Sequence, residues 1–315
     1  MVVPLRVVFF GTPEFAVPTL RRLLDSRHPV VGVVTQPDRP RGRGQKVSSS
    51  PAKALALEHR VPVIQPDRLR TPEVVEALRA WNPDVGVVAA YGKIIPEAIL
   101  NLPRLGMINV HASLLPKYRG AAPVHRAIID GERETGVTIM RVEKLLDAGP
   151  MLAVVTRPIG PDETSDVVER DLAELGAPLL VSVLDRIGAG DVTQELQDFM
   201  LCTYAPKLTK EEGLIDWTLP SLYIHNRVRG LYPWPHAYTY LDGRRLIVLK
   251  TRRVDDRTDA PPGTIVDRSN GLQVATGHGE RLALERIQPE GKRPMTAREF
   301  LSGHSVTLGA RLTGP

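Results

Sequence analysis

Apolar runs and amphipathic stretches take turns along the first 190 or so residues of the chain. Residues 5–10 read as a strand running into Gly11-Thr12-Pro13, after which Phe15, Val17, Leu20, Leu23 and Leu24 recur at helical spacing. The run 30–35 supplies the next strand, so a βαβ unit opens the chain. The pattern continues with a helix over 51–60, a short strand near Val63 and a helix over 72–81. Residues 85–90 form a nearly unbroken run of small apolar side chains, as expected of a central parallel strand covered on both faces. Tyr91-Gly92-Lys93 ends it, and a glycine at the carboxyl end of a strand suits close approach of a ligand. A helix over 123–130 and strands over 135–142 and 151–158 follow. Ser165 is read as the cap of a helix whose apolar stripe is Val168, Leu172, Leu175, Leu179 and Val183.

This alternation predicts an α/β, Rossmann-like domain with a mostly parallel sheet over residues 1–187. The turn after the first strand lacks the three glycines of a dinucleotide fingerprint, so no nicotinamide cofactor is expected. Residues 188–207 hold no sustained period and read as a linker. Beyond them the character changes. The runs 234–240, 246–254, 263–266, 272–275 and 282–287 are short strands punctuated by Asp242-Gly243, Asn270-Gly271 and Gly277-His278-Gly279. They predict a small β-barrel over 208–315, closed by a short helix that Thr296 and Glu299 open as a capping box. Trp234, between Pro233 and Pro235, offers either a stacking platform for nucleobases or, the preferred reading, a side chain for the core of that barrel.

One segment interrupts the alternation. Residues 36–50 carry Arg39, Arg41, Arg43 and Lys46 among glycines and prolines, which predicts a mobile cationic loop. A short basic loop is commonly a solvated one, but fifteen residues without structure inside a compact domain is unusual and points to function. Its cations suit phosphates or base edges.

Charge sharpens the picture where composition does not. The chain has 315 residues, a 42% hydrophobic content sufficient for two cores, and a net charge of +5. Lys and Arg balance Asp and Glu at 24 each over 1–205, whereas 206–315 carry 17 against 12. The basic excess sits in the last third, where a polyanion would feel it; the same excess also fits a solvated surface with no partner. Cys202 is the only cysteine, which excludes an intramolecular disulfide and suggests a reducing cytoplasm. The apolar run at 2–10 is interrupted by Arg6 and is too short to span a bilayer.

The stretch 107–123, Met-Ile-Asn-Val-His-Ala-Ser-Leu-Leu-Pro-Lys-Tyr-Arg-Gly-Ala-Ala-Pro, is organised differently from its neighbours. At period 2, Asn109 and His111 fall on one face of a short strand and Ile108 and Val110 on the other. Two polar side chains on one face suit a strand end that opens into a cleft; they equally suit a strand end that caps a core. Asp147, between Leu146 and Ala148-Gly149, reads on its own as a turn former.

The run from Ser113 to Pro123, together with Gly136-Val-Thr-Ile-Met140 and Leu146-Asp147-Ala-Gly149, resembles the signature of the folate-dependent formyltransferases. The resemblance covers nearly the whole chain. It implies that Asn109, His111 and Asp147 form the catalytic group, and that Ser113, Leu114, Leu115 and Pro116 contact the folate. It implies transfer of a formyl group from 10-formyltetrahydrofolate to the free amino group of initiator methionyl-tRNA, in support of translation initiation. It further implies that the basic loop enters the acceptor stem with Arg43 at its key position, joined by Arg39, Arg41, Lys46 and Lys207, and that the C-terminal barrel is oligonucleotide-binding-like. A cytoplasmic monomer with no metal and no membrane attachment is the matching expectation.

The chemistry asks for few groups. Transfer of a formyl unit to an amine passes through a tetrahedral intermediate whose oxygen gathers charge, and an amide such as Asn109 or an imidazole such as His111 can receive it. A free α-amino group titrates near pKa ~8, so the harder step is protonating the departing folate nitrogen. His111, oriented by Asp147, can relay that proton. A nucleophilic Ser113 is a weaker reading, because the glycine context of a nucleophile elbow is missing. His125, His225, His236, His278 and His304 lack metal-ligand spacing and are read as structural. Three rivals share the first domain: an amino-sugar N-formyltransferase, a formyltetrahydrofolate hydrolase and a fused folate dehydrogenase. The first leaves the basic loop and basic barrel without a use, the second lacks its regulatory segment, and the third needs a much longer chain. A noncatalytic RNA-binding protein would not need Asn109, His111 and Asp147 together.

Overall fold

Strand β1 (Val7–Gly11) is buried along its whole length, and the first sheet is laid out on either side of it. The structure is a computed structural model that describes residues 2–41, 46–269 and 271–314. Helix α1 (Ala16–Leu24) buries Ala16, Leu20 and Leu23 and leads into β2 (Val30–Val34), parallel to β1. After β3 (Arg39–Arg41) and β4 (Lys46–Ser48) comes α2 (Pro51–Glu58), where Ser50 accepts the Lys53 N–H and Pro51 occupies the first turn. Then follow β5 (Val63–Ile64), α3 (Pro72–Ala80), β6 (Val85–Ala89), the one-turn α4 (Glu97–Leu100) and β7 (Met107–His111). The series continues with β8 (Arg119–Gly120), α5 (Pro123–Ile129), β9 (Glu134–Arg141), β10 (Met151–Pro158) and the 25-residue α6 (Ser165–Ala189).

The sheet order is β10-β9-β7-β6-β1-β2-β5. The five strands from β7 to β5 are parallel, while β9 and β10 add an antiparallel edge. The chain leaves β1 in one direction for β2 and β5, then crosses back to β6 and β7. The strand order therefore reverses beside β1, and the crevice at the carboxyl ends of β1, β6 and β7 is where such sheets take their ligands.

Several elements depart from the sequence pattern for identifiable reasons. The predicted loop at 36–50 contains a two-stranded antiparallel ribbon, with Arg39 opposite Ser48 and Arg41 opposite Lys46. Two short extended segments satisfy their backbone groups by pairing, which needs no side-chain pattern to announce it. At the base of the ribbon Lys53 holds the Asp38 carboxylate, and Gln65 bridges Asp38 to the Gln36 carbonyl. Helix α6 begins with Ser165, whose hydroxyl donates to the Tyr232 carbonyl, so Ser165 is the first helical residue rather than the cap. On the stripe, Val168, Leu172 and Val183 are buried, while Leu175 and Leu179 are half-buried and Leu180, Leu184 and Ile187 complete the face.

In the C-terminal part, α7 (Ser221–Gly230) is absent from the sequence expectation. Its buried residues include His225, Asn226 and Arg229, so no apolar stripe marks it. Strands β12 (Ala237–Leu241), β13 (Arg244–Val254), β14 (Ile265–Asp267), β15 (Leu272–Ala275) and β16 (Arg281–Pro289) form an antiparallel sheet in the order β12-β13-β16-β15-β14; here β11 (Tyr204–Ala205) is the short strand that precedes α7 and pairs with β8. The sheet curls until the chain end bridges both edges, Thr313 to Tyr240 and Arg311 to Thr264. A pair of residues, β17 (Met295–Thr296), joins β16, and Thr296 and Glu299 form the expected capping box on α8 (Ala297–Gly303). Trp234 is 46% exposed and lies outside any core, because the strand begins only at Ala237.

The chain divides into two compact units. One comprises residues 1–123, 134–158 and 169–205; the other comprises 124–133, 159–168 and 206–315. Among the described residues no helix is long and apolar enough to cross a membrane.

Tyr91 is a polar anomaly in the core of the first unit. Tyr91 lies among Val8, Phe10, Val34, Leu78, Ile95 and Met107 with its ring edge-on to Phe10, and burial pushes its hydroxyl up to about 12. That hydroxyl has no hydrogen-bond partner among the described residues. Removing it should relieve a desolvation cost, so Tyr91→Phe is expected to raise the unfolding free energy by about 1 kcal/mol, read from urea midpoints at constant slope.

Candidate active site

The last residue of β7, His111, is 5% exposed and lies opposite Thr138 on β9. Asn109, two residues earlier on the same face, is half-buried, and its side-chain amide makes no hydrogen bond to the described residues. An amide held in a strand and left open to a cleft is available to a ligand. The chain then folds back on itself. Tyr118 adopts a positive φ of 61°, and its carbonyl oxygen lies 3.0 Å from His111 Nε2. With Nε2–H donating to that carbonyl, Nδ1 is left as the free ring nitrogen.

Nδ1 faces Asp147. The carboxylate Oδ2 stands 3.7 Å from it and accepts the Gly120 N–H at 2.8 Å. Asp147 itself has a φ of 48°, a conformation that aspartate tolerates better than most residues. Two glycines make this arrangement possible. At Gly149 a Cβ would meet the Arg141 carbonyl oxygen at 2.1 Å, and at Gly120, where φ is 122°, one would meet the Ala205 carbonyl oxygen at 2.8 Å. The structure thus brings Asn109, His111 and Asp147 to one strand end and one connecting tip.

The Ser113–Pro116 segment is shaped from below by a single buried hydroxyl. Thr138 Oγ1 donates to the Ser113 carbonyl at 2.7 Å and accepts the Leu115 N–H at 3.2 Å. Ser113 is fully buried and gives its own hydroxyl to the Lys117 carbonyl at 2.7 Å, which leaves it poorly placed to act as a nucleophile. Leu115 is buried, and Leu114 and Pro116 are half-buried. No charged side chain is buried within this segment, so any recognition it makes rests on backbone groups and apolar contact. Thr138→Val removes both bonds while keeping the volume. It is expected to raise the KM for a ligand of this loop by about tenfold with kcat changed much less, measured by initial-rate kinetics.

Arg39 and Lys207 are exposed, Arg41 and Lys46 are described by their backbone in the ribbon, and Arg43 lies outside the described residues. Of the predicted structural histidines, His125 bonds the Gly230 carbonyl, His225 bonds Thr251 and the Pro161 carbonyl, and His304 bonds the Phe300 carbonyl, whereas the buried Nδ1 of His236 has no hydrogen-bond partner among the described residues. Sequence reasoning missed Thr138, the Tyr118 carbonyl and a buried pair, Arg119 and Gln197. Thr138 and Arg119 both lie within the signature segments, whereas nothing around Gln197 marks it.

The open α/β sheet thus gathers an amide, an imidazole and a carboxylate at the carboxyl edge of its strands, where such sheets take their ligands. The chain belongs to the formyl transferase family: residues 5–184 match the formyl transferase model and residues 207–305 the formyl transferase C-terminal domain. It is 50% identical to the methionyl-tRNA formyltransferase of Methylococcus capsulatus over 98% of this chain and 99% of that protein. It is 49% identical to that of Trichlorobacter lovleyi, over 98% and 96%. Among solved structures, the N-formyltransferase of Helicobacter canadensis, in complex with folinic acid and dTDP-3-aminofucose, shares the fold at a TM-score of 0.67 and 16% identity, covering 90% of this chain and 99% of that one.

Proposed function

We propose that this chain transfers a formyl group from 10-formyltetrahydrofolate to the amino group of methionyl-tRNA, providing the cytoplasmic initiator for translation. The observation that carries the reading is half-identity to methionyl-tRNA formyltransferases over nearly the full length of both chains. The site is consistent with it. 10-Formyltetrahydrofolate supplies the activated one-carbon unit, and Ser113–Pro116 would hold it. Asn109 donates its amide N–H to the formyl oxygen as charge builds there. His111 presents Nδ1 to the attacking amine and takes its proton, and the Asp147 carboxylate stabilises the resulting imidazolium. The same nitrogen returns the proton to the folate nitrogen as its bond to the formyl carbon breaks. Arg39, Arg41, Arg43, Lys46 and Lys207 are the cations we assign to the acceptor stem.

The competing reading is an amino-sugar N-formyltransferase on the same fold, suggested by the Helicobacter N-formyltransferase in complex with dTDP-3-aminofucose. Incubation of the protein and 10-formyltetrahydrofolate with methionyl-tRNA, uncharged tRNA or a dTDP-linked amino sugar separates the two. Formyl is expected on methionyl-tRNA alone, with binding that weakens steeply as salt rises. Formylation of the amino sugar and not of methionyl-tRNA would overturn the assignment.

A further inference from the structure

Arg119 is 2% exposed, an unusual place for a guanidinium, and no carboxylate lies within ion-pairing distance of it among the described residues. Its Nε and Nη2 both donate to one oxygen, Gln197 Oε1, at 2.9 and 2.6 Å. That fixes which way the Gln197 amide faces. The opposite end of the amide, Nε2, donates to the Asp147 carbonyl at 2.9 Å and the Gly149 carbonyl at 2.8 Å. The Phe199 ring covers the guanidinium with its centroid 4.6 Å away. Gln197 belongs to a strap that is itself anchored at both ends: Glu195 pairs with Met151, and Tyr204 and Ala205 pair with Arg119 and Gly120.

We infer that Gln197 and Arg119 are positioning residues for the Asp147 carboxylate. The guanidinium selects the orientation of the amide, and the amide clamps the carbonyls of Asp147 itself and of Gly149, two residues on. The tip needs such a clamp because Asp147 sits at positive φ and, among the described residues, its carboxylate accepts one hydrogen bond, from Gly120. An acyl-transfer site loses rate when a catalytic group drifts by an ångström, by as much as ~10²-fold. The inference rests on the proposed function only for its kinetic readout.

The discriminating variant is Gln197→Glu, which keeps the shape and the acceptor for Arg119 but turns a second oxygen toward the two carbonyls. It is expected to lower kcat by roughly 10–100-fold with KM for both substrates within about threefold of wild type. In an Asp147→Asn background the same change should add less than about twofold, because Gln197 acts through that carboxylate. Without any substrate, amides of residues 145–149 should exchange with deuterium at least about tenfold faster in the variant. Gln197→Met, which introduces no charge, should reproduce the exchange result if the Glu variant fails to fold. Unchanged exchange at 145–149 overturns the inference, whatever the wild-type protein formylates. So does an active wild type in which the Gln197→Glu and Asp147→Asn losses multiply in full.

Discussion

Replacing His111 by alanine is expected to lower kcat for formyl transfer by about 10²–10⁴-fold, with KM for the folate donor changed less than about threefold. The range is that of a general acid-base group lost from an otherwise intact site. The site should stay intact because the loop next to His111 has its own supports: Thr138 bonds Ser113 and Leu115, and Thr203 accepts the Tyr118 N–H. Asp147→Asn should fall in the same range without abolishing the Gly120 hydrogen bond, since an amide oxygen can still accept it. What it loses is the negative charge 3.7 Å from Nδ1. The double variant should be close to the worse single one, because both changes disable a single proton path. Rapid-quench measurement of formyl-methionyl-tRNA separates chemistry from release. Turnover of either single variant within a factor of about two of wild type would remove the pair from the mechanism.

The second large effect is expected at Asn109. Loss of one preorganised donor to a developing oxyanion typically costs about 10²–10³-fold in kcat, and Asn109→Ala should fall there. Asn109→Asp is the sharper comparison. It is nearly isosteric, yet it offers an anion where the reaction gathers negative charge, so its kcat should lie at or below that of the alanine variant. A charged-state substrate defect is excluded by measuring folate binding directly, which should be little changed in both variants. If Asn109→Asp proves as active as wild type, the amide does not face the formyl oxygen.

The sequence made some of this arrangement readable and hid the rest for physical reasons. Residue type and strand period place Asn109 and His111 on one face of β7, and the small apolar run places β6 beside it. Asp147 is far from them along the chain, and no local pattern distinguishes it from a turn aspartate; only the signature around it singles it out. The supports of the site are still less visible. Gln197 is one of two glutamines in a stretch with no period, and the group that fixes the histidine tautomer is a backbone carbonyl, which every residue owns. Helix α7 escapes notice because much of its buried face is polar: Arg229 donates to Asn226 and to the Glu163 carbonyl, and His225 bonds Thr251 and the Pro161 carbonyl. Periodicity reads apolar burial and is silent where hydrogen bonds do the same work.

The way the backbone passes between the two units also bears on how the protein can be dissected. Residues 124–133 and 159–168 fold with the C-terminal unit although they lie far upstream of it in the chain. Arg229 takes the carbonyls of Gly160 and Glu163, and His225 that of Pro161. A fragment excised at residue 207 would leave these donors stranded in a protein interior, so the polypeptide is two bodies woven from one thread, and scissors applied between the matched family segments would not yield a self-sufficient half.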